Sequence, residues 1–240
     1  MIAIRSLLTY IIVLAYISIA GPVGLVVGAV FRWKRGLYAL GHAGVSLALR
    51  SAGIRYTVFG REHVPGGAVV FCSNHESNVD PPVLFEALHP RLHVLYKAEL
   101  HRFPVMGTVF DVGGFVPVER GNRERSMASI RRGSASLRAG NSFLIFPEGT
   151  RSRTGDLLPF KKGGFIMAIE AQVPIIPVAV HGGRAAMRKG SPWVRPVDVT
   201  VRIGQPVQTA GLTLDDRDDL IARVRAAIQT LLDENPKGLK

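Results

Sequence analysis

Ala68-Val69-Val70-Phe71-Cys72-Ser73-Asn74-His75-Glu76-Ser77-Asn78-Val79-Asp80-Pro81-Pro82 is the stretch on which the fold turns. Its first five residues form a short apolar, β-branched run, the pattern of a buried strand. Ser73 to Asn78 is polar turn chemistry. Asp80 stands before two prolines, and Asp followed by Pro marks the first turn of a helix. The reading is strand, loop, helix. On one continuous helix, residues five apart would lie roughly 140° apart in projection and could not meet. The loop, however, can curl back and bring His75 to Asp80 at the helix start. A carboxylate on one imidazole nitrogen fixes the tautomer and leaves the other nitrogen free as a base. A surface His beside an ordinary helix-capping Asp is the plainer alternative.

Outward from this unit, short apolar runs alternate with helical patterns. Ile54–Phe59 alternates like a half-buried strand, and further strands are expected at Leu92–Tyr96, Phe115–Val118, Ser142–Phe146, Ile175–Val180 and Val197–Ile203. Helices are expected near Pro81–Leu88, Arg123–Ala139 and Gly164–Ala171. Thr213-Leu214-Asp215-Asp216 reads as a capping-box start. Leu220, Val224, Ile228 and Leu231 then form an apolar stripe at helical spacing, reaching about Asn235. Strands separated by helix-length segments specify an α/β fold: a single mixed, largely parallel sheet flanked by helices. Residues 53–240 form this domain, and residues 1–52 an N-terminal membrane-associated helical segment.

Leu7 to Phe31 contains no charged residue. As a helix it would reach about 37 Å, enough for a hydrocarbon core of about 30 Å. Gly21-Pro22 interrupts it, so one kinked spanning helix competes with two shorter helices dipping into one leaflet. Arg32, Lys34 and Arg35 follow, with Trp33 suited to the interface. This bias keeps the following domain cytoplasmic if the segment spans, and a re-entrant hairpin gives the same side. Ser18-Ile19-Ala20 resembles a signal-peptidase site, but Pro22 follows closely and the apolar run continues. Membrane attachment is the expectation. Gly36–Leu49, uncharged but too short to span, fits a core or an interfacial helix.

The 240 residues are 47% hydrophobic, enough for one substantial core. A net charge of +12 with arginine in excess suits anionic partners such as phospholipid surfaces or phosphorylated substrates. The single cysteine, Cys72, excludes an internal disulfide and reads as a small apolar residue in a core strand. His75-Glu76 opens like a zinc-protease motif, but Val79 stands where its second His is needed. No metal site is expected, and neither a P-loop nor a Gly-x-Ser-x-Gly elbow is present. Without a side-chain nucleophile, a catalytic His75 would activate a hydroxyl of the substrate itself.

The other strand-end loops favour an anionic substrate. Phe115-Val116-Pro117-Val118-Glu119-Arg120 ends in a guanidinium. Phe146-Pro147-Glu148-Gly149-Thr150-Arg151-Ser152 follows another strand, and Phe160-Lys161-Lys162-Gly163-Gly164 opens a helix. Arg suits bidentate phosphate contacts, and ligands gather at strand ends of α/β sheets.

Asn74-His75-x4-Asp80 resembles the first signature block of the glycerolipid acyltransferases, the family of 1-acylglycerol-3-phosphate acyltransferases. Gly114–Arg120 is similar to the second block, departing from it at Pro117 and at Glu119, where Asp is more usual. Phe146–Ser152 matches the third block closely, and Val173-Pro174-Ile175-Ile176-Pro177-Val178 is similar to the fourth. All four occur in family order within about Val70 to Val180. The resemblance implies His75 as general base with Asp80 orienting it. It implies Arg120, Glu148, Gly149, Thr150 and Arg151, joined by Lys162 from the basic helix start, as the substrate-binding set. It further implies acyl transfer from acyl-coenzyme A or acyl-carrier protein to the sn-2 hydroxyl of lysophosphatidate, yielding phosphatidate. A thioester is already activated, so no cofactor and no metal is expected.

Two rivals remain. The acceptor is another lysophospholipid or a lyso-aminolipid, or the chain is a non-catalytic, basic, membrane-tethered lipid-binding protein. Nucleic acid is not an expected partner, because the arginines are scattered rather than interleaved with aromatics.

Overall fold

The computed structural model describes residues 1–31, 33–88, 92–102, 104–118 and 123–234. Seven strands form one sheet: β1 (Ile54–Phe59), β2 (Val70–Ser73), β3 (Leu92–Lys97), β4 (Val116–Val118), β5 (Ser142–Ile145), β6 (Ile175–His181) and β7 (Val197–Ile203). Their order is β1-β7-β6-β2-β5-β3-β4. Every neighbouring pair is parallel except β6 and β7. The expected mixed, largely parallel sheet is present.

β2 lies at the centre, pairing Val70 with Phe143 on one side and with Ile175 on the other. All four of its residues are buried, as a strand covered on both faces requires. Period two divides them. Phe71 enters the core beneath α2 (Lys34–Ala52) and α3 (Asp80–Ala87), with Leu84, Leu144 and Ile176. Val70 and Cys72 enter the opposite core with Phe143, Phe165 and Leu220, under α5 (Arg123–Arg138), α6 (Gly163–Ala171) and α8 (Arg217–Asp233). Burial pushes the Cys72 thiol up, so it stays protonated and packs as an apolar group.

The capping box forms as read. Thr213 Oγ1 accepts from the Asp215 N–H at 3.3 Å, and Asp216 Oδ2 accepts from the Thr213 N–H at 2.8 Å. Leu220, Val224 and Ile228 are fully buried on the sheet, while Leu231 is only partly so. Two helices go beyond the expected pattern: α4 (Pro104–Gly113) and the short α7 (Gly183–Ala186). α4 contains Gly107, Thr108 and two further valines after Pro104-Val105, all weak helix formers, so local propensity did not announce it.

At the N-terminus, α1 (Ile2–Ala29) runs unbroken through Pro22. Within it Ile2–Gly24 is long and apolar enough to cross a membrane. Leu7, Leu8, Ile11, Leu14, Ile17 and Ile19 are each more than half exposed, a contiguous apolar surface that marks membrane association. The other side of α1 lies on α2, where the Tyr16 hydroxyl donates to the Leu40 carbonyl at 2.7 Å. α2 in turn buries Leu49 and Ala52 in the sheet's core.

Candidate active site

β2 ends at Ser73, and the next residue ties the strand ends together. The Asn74 side chain accepts from the Val180 N–H at 2.8 Å and donates to the Val180 carbonyl at 3.0 Å. It thus replaces a ladder rung where β2 and β6 part. The chain then turns over the carboxyl edge of the sheet, where His75 and Asp80 meet: Nδ1 lies 2.9 Å from Asp80 Oδ2.

Asp80 opens α3, but its side chain does not cap that helix. Oδ2 turns back over the loop and also accepts from the Glu76 and Ser77 N–H groups, both at 2.7 Å. Three donors converge on one oxygen, and the residue is only 1% exposed. Because the carboxylate accepts from Nδ1–H, the imidazole is the tautomer whose Nε2 carries the lone pair. The other oxygen, Oδ1, is buried and has no hydrogen-bond partner among the described residues. It faces Gly183, where any Cβ would overlap it.

The third loop fixes the histidine from the opposite side. The Phe146 ring stacks on His75 at 4.2 Å between centroids. Glu148 Oε1 accepts from the His75 N–H at 2.9 Å, and its Oε2 accepts from the Leu158 N–H at 3.0 Å. The His75 carbonyl accepts from the Ser152 N–H at 2.7 Å. Burial raises the Glu148 carboxyl, opposed by those two backbone donors. Ring, backbone and tautomer of His75 are all set before any substrate arrives, which is the requirement for a general base.

The model of the acyltransferase family matches residues 55–181, more than half of the chain, and includes His75, Asp80, Phe146 and Glu148. The chain belongs to the acyltransferase family. It is 32% identical to the 1-acyl-sn-glycerol-3-phosphate acyltransferase of Limnanthes douglasii over 185 residues, 77% of this chain and 66% of that one. It is 34% identical to the human 1-acyl-sn-glycerol-3-phosphate acyltransferase beta over 165 residues, 67% of this chain and 58% of that one. The chain thus spans less than two thirds of the length of these relatives. The crystal structure of the 1-acyl-sn-glycerophosphate acyltransferase from Thermotoga maritima has the same fold. Its TM-score is 0.83 at 23% identity, covering 100% of this chain and 98% of the other.

The remaining residues marked in the sequence are distributed unevenly in this family fold. Gly149 has φ +67°, the left-handed region, and a Cβ there would stand 2.7 Å from Lys161 Nζ. The Thr150 hydroxyl and the Arg151 carbonyl each accept from Lys189 Nζ at 3.0 Å. Arg151 is half-buried, and among the described residues its guanidinium has no hydrogen-bond or ion-pair partner. Glu148 has each oxygen on a backbone donor, which makes it a fastening between loops. Lys162 points away to α8, 3.3 Å from an Asp218 oxygen, and it is the neighbouring Lys161 that reaches the Gly149 turn. Glu119 and Arg120 lie outside the described residues.

Three contributors went unmarked in the sequence reading. Lys189 and Gly183 come from the β6–β7 connection, just after the last signature block and outside all four. Glu76 lies inside the first block. Burial, reinforced by the neighbouring Asp80 carboxylate, pushes its carboxyl up to about 7, against the opposing pull of Arg184. Lone Lys, Gly and Glu residues in polar loops carry no spacing signal that would have singled them out.

Proposed function

We propose that the protein transfers an acyl group from an acyl thioester to the sn-2 hydroxyl of 1-acylglycerol-3-phosphate, forming phosphatidate. The observation that carries this reading is the His75–Asp80 pair at 2.9 Å with Nε2 left as the free base. In this mechanism Nε2 takes the proton of the acceptor hydroxyl as its oxygen attacks the thioester carbonyl. The imidazolium that forms is balanced by Asp80, whose two backbone donors keep it in place. The tetrahedral intermediate collapses with cleavage of the carbon–sulfur bond, and the proton passes from Nε2 to the departing thiolate. Ester and free thiol result, with no covalent enzyme intermediate. Arg151 supplies a guanidinium for the acceptor phosphate, in a loop held by Lys189 and shaped by the left-handed Gly149. Coenzyme A and acyl-carrier protein both present the required thioester, and the chemistry needs neither cofactor nor metal.

A single-chain lysolipid resides in the leaflet, so the site must work at a membrane surface. α1 supports this reading: its first turns bond to Pro192 and Val194, while Gly28 near its end packs against Val112 of α4. Fastened at both ends, the helix lies along the domain. This favours immersion in one leaflet over a perpendicular span, and the basic residues that follow the apolar run support the cytoplasmic side for the domain.

The deciding experiment is acyl transfer by the purified protein in detergent. Acyl-coenzyme A and acyl-carrier protein are compared as donors, and lysophosphatidate, lysophosphatidylglycerol and a lyso-aminolipid as acceptors. Turnover confined to lysophosphatidate bears the proposal out. Turnover only with another acceptor reassigns the substrate, and none with any pair overturns the enzymatic reading.

A further inference from the structure

The connection between β6 and β7, residues 182–196, contains no acidic residue but carries Arg184, Arg188, Lys189 and Arg195. It also carries Trp193, whose side chain stands out while the next residue, Val194, is buried: 45% against 5% exposed. An exposed indole set among cations, in a loop without a carboxylate, pairs an amphipathic ring with positive charge.

The loop is a built structure. The Arg195 N–H donates to the Ala186 carbonyl at 2.8 Å, the Trp193 N–H to Ser191 Oγ at 3.2 Å, and the Ser191 N–H to the Arg188 carbonyl at 3.0 Å. Its far end is fastened to the first turns of α1. The Val194 N–H donates to Ser6 Oγ at 2.9 Å, the Ser6 hydroxyl faces the Val194 carbonyl, and the Tyr10 hydroxyl donates to the Pro192 carbonyl. Ser6 is completely buried by this docking, whereas Leu7, Leu8, Ile11 and Leu14 on the same helix face outward. Trp193 therefore sits at the flank of the apolar surface of α1. Its near end reaches the site: the Met187 carbonyl accepts from Ser77 Oγ at 2.8 Å, and Lys189 holds Thr150 and Arg151.

We propose that the 187–196 connection is a second membrane contact, taking the headgroups of anionic phospholipids. The Trp193 indole, apolar with one polar N–H, fits the level between headgroup and acyl chain. Arg188 and Arg195 supply guanidinium groups for lipid phosphates, and each basic side chain at such a surface is worth roughly a five-fold gain in partitioning. Charge complementarity and continuity with α1 select a lipid surface over an acidic protein. The same loop that touches lipid also holds Arg151, so the contact sets the height and tilt of the site over the leaflet. This inference rests on membrane attachment through α1, and its test separates the two.

Trp33 and Trp193 are the only tryptophans. W33F in the full chain leaves Trp193 as the sole reporter, and W193F leaves Trp33, which lies in the exposed link after α1. Each variant is reconstituted into phosphatidylcholine vesicles with and without phosphatidylglycerol, containing lipids brominated near the headgroup end of the chain. Trp193 emission should shift to the blue and be quenched, several-fold more in the anionic vesicles. R188Q/R195Q in the W33F background should bring quenching down to the zwitterionic level. Quenching of Trp33 with Trp193 unaffected overturns the loop contact while leaving the anchor intact. Equal Trp193 quenching in both vesicle types overturns the headgroup assignment, as does relief of a Trp193 signal by an acidic carrier protein instead of by lipid composition. Absence of quenching at both positions overturns the anchor itself.

Discussion

Gly183 lies against the carboxylate of Asp80 so closely that any side chain at position 183 would overlap Oδ1. The start of α3 and the β6–β7 connection are thus packed as one unit, and the His75–Asp80 pair depends on a residue without a Cβ more than a hundred positions away.

Gly183→Ala should leave the domain folded but displace Asp80 from His75. A misplacement near 1 Å costs about 100-fold in turnover. The measurement is kcat in detergent micelles beside thermal unfolding of the same sample. A kcat within a few-fold of the parent would show that Asp80 can shift without leaving His75.

His75→Ala should abolish turnover with either donor while the circular dichroism spectrum stays unchanged, because the ring packs chiefly on Phe146 at the sheet edge. Asp80→Asn should cost about 10⁴-fold in kcat, since an amide in this position stabilises the wrong tautomer. Near-native rates for His75→Ala would place the base elsewhere.

Arg151→Ala should raise the KM for lysophosphatidate more than the KM for the donor, and Arg151→Lys should not fully restore it, since an ammonium cannot reproduce the fork. Lys189→Met should act in the same direction more weakly, about ten-fold, because it removes only the two hydrogen bonds to the Thr150 hydroxyl and the Arg151 carbonyl. Equal effects on both KM values would assign Arg151 to the donor's phosphates or to structure.

Glu76 makes stability depend on pH. Its carboxyl lies at about 7 in the folded protein and at the ordinary 4.5 when unfolded, so the fold favours the protonated form. The resulting stabilisation is fully present below about pH 4.5 and is lost as the pH rises through about 7. Glu76→Gln, neutral throughout, should therefore match the parent near about pH 4 and exceed it above about pH 7.5, by roughly 1–3 kcal/mol. Thermal unfolding across that range measures the gap. A gap that stays constant with pH would mean that Glu76 ionises as an exposed carboxylate.

Because the outward face of α1 is apolar, high-salt washing should leave the protein on membranes, whereas a purely electrostatic attachment would dissociate as charges are screened. Deleting residues 1–31 should lower turnover on bilayer-embedded lysolipid more than on lysolipid in detergent. Efficient release of the full chain by salt would remove α1 as the anchor.

Features that depend on local pattern are legible in the order of amino acids alone. The uncharged run of α1 declares a membrane-facing helix, since no residue along it carries a charge and most are apolar. Val70-Phe71-Cys72 followed by a polar turn and Asp80-Pro81-Pro82 specifies β2, the loop and α3 through periodicity and φ restriction alone. Thr213 and Asp216 announce the start of the last helix because both halves of a capping box lie within four residues. The order of the four signature blocks indicates the family for the same reason: each block is short and contiguous. The tertiary structure decided everything that depends on where side chains turn once the sheet has formed. Lys161 and Lys162 are adjacent and chemically identical, yet one meets Gly149 and the other Asp218, because the approach to α6 directs them to opposite sides. Glu148 reads as a ligand for substrate until the fold turns its two oxygens onto the N–H groups of His75 and Leu158. β7 enters between β1 and β6, antiparallel to β6, and so carries the connection with Gly183 and Lys189 back over the His75 loop. None of these placements has a sequence signature, because each is set by long-range packing between segments with no local register of their own.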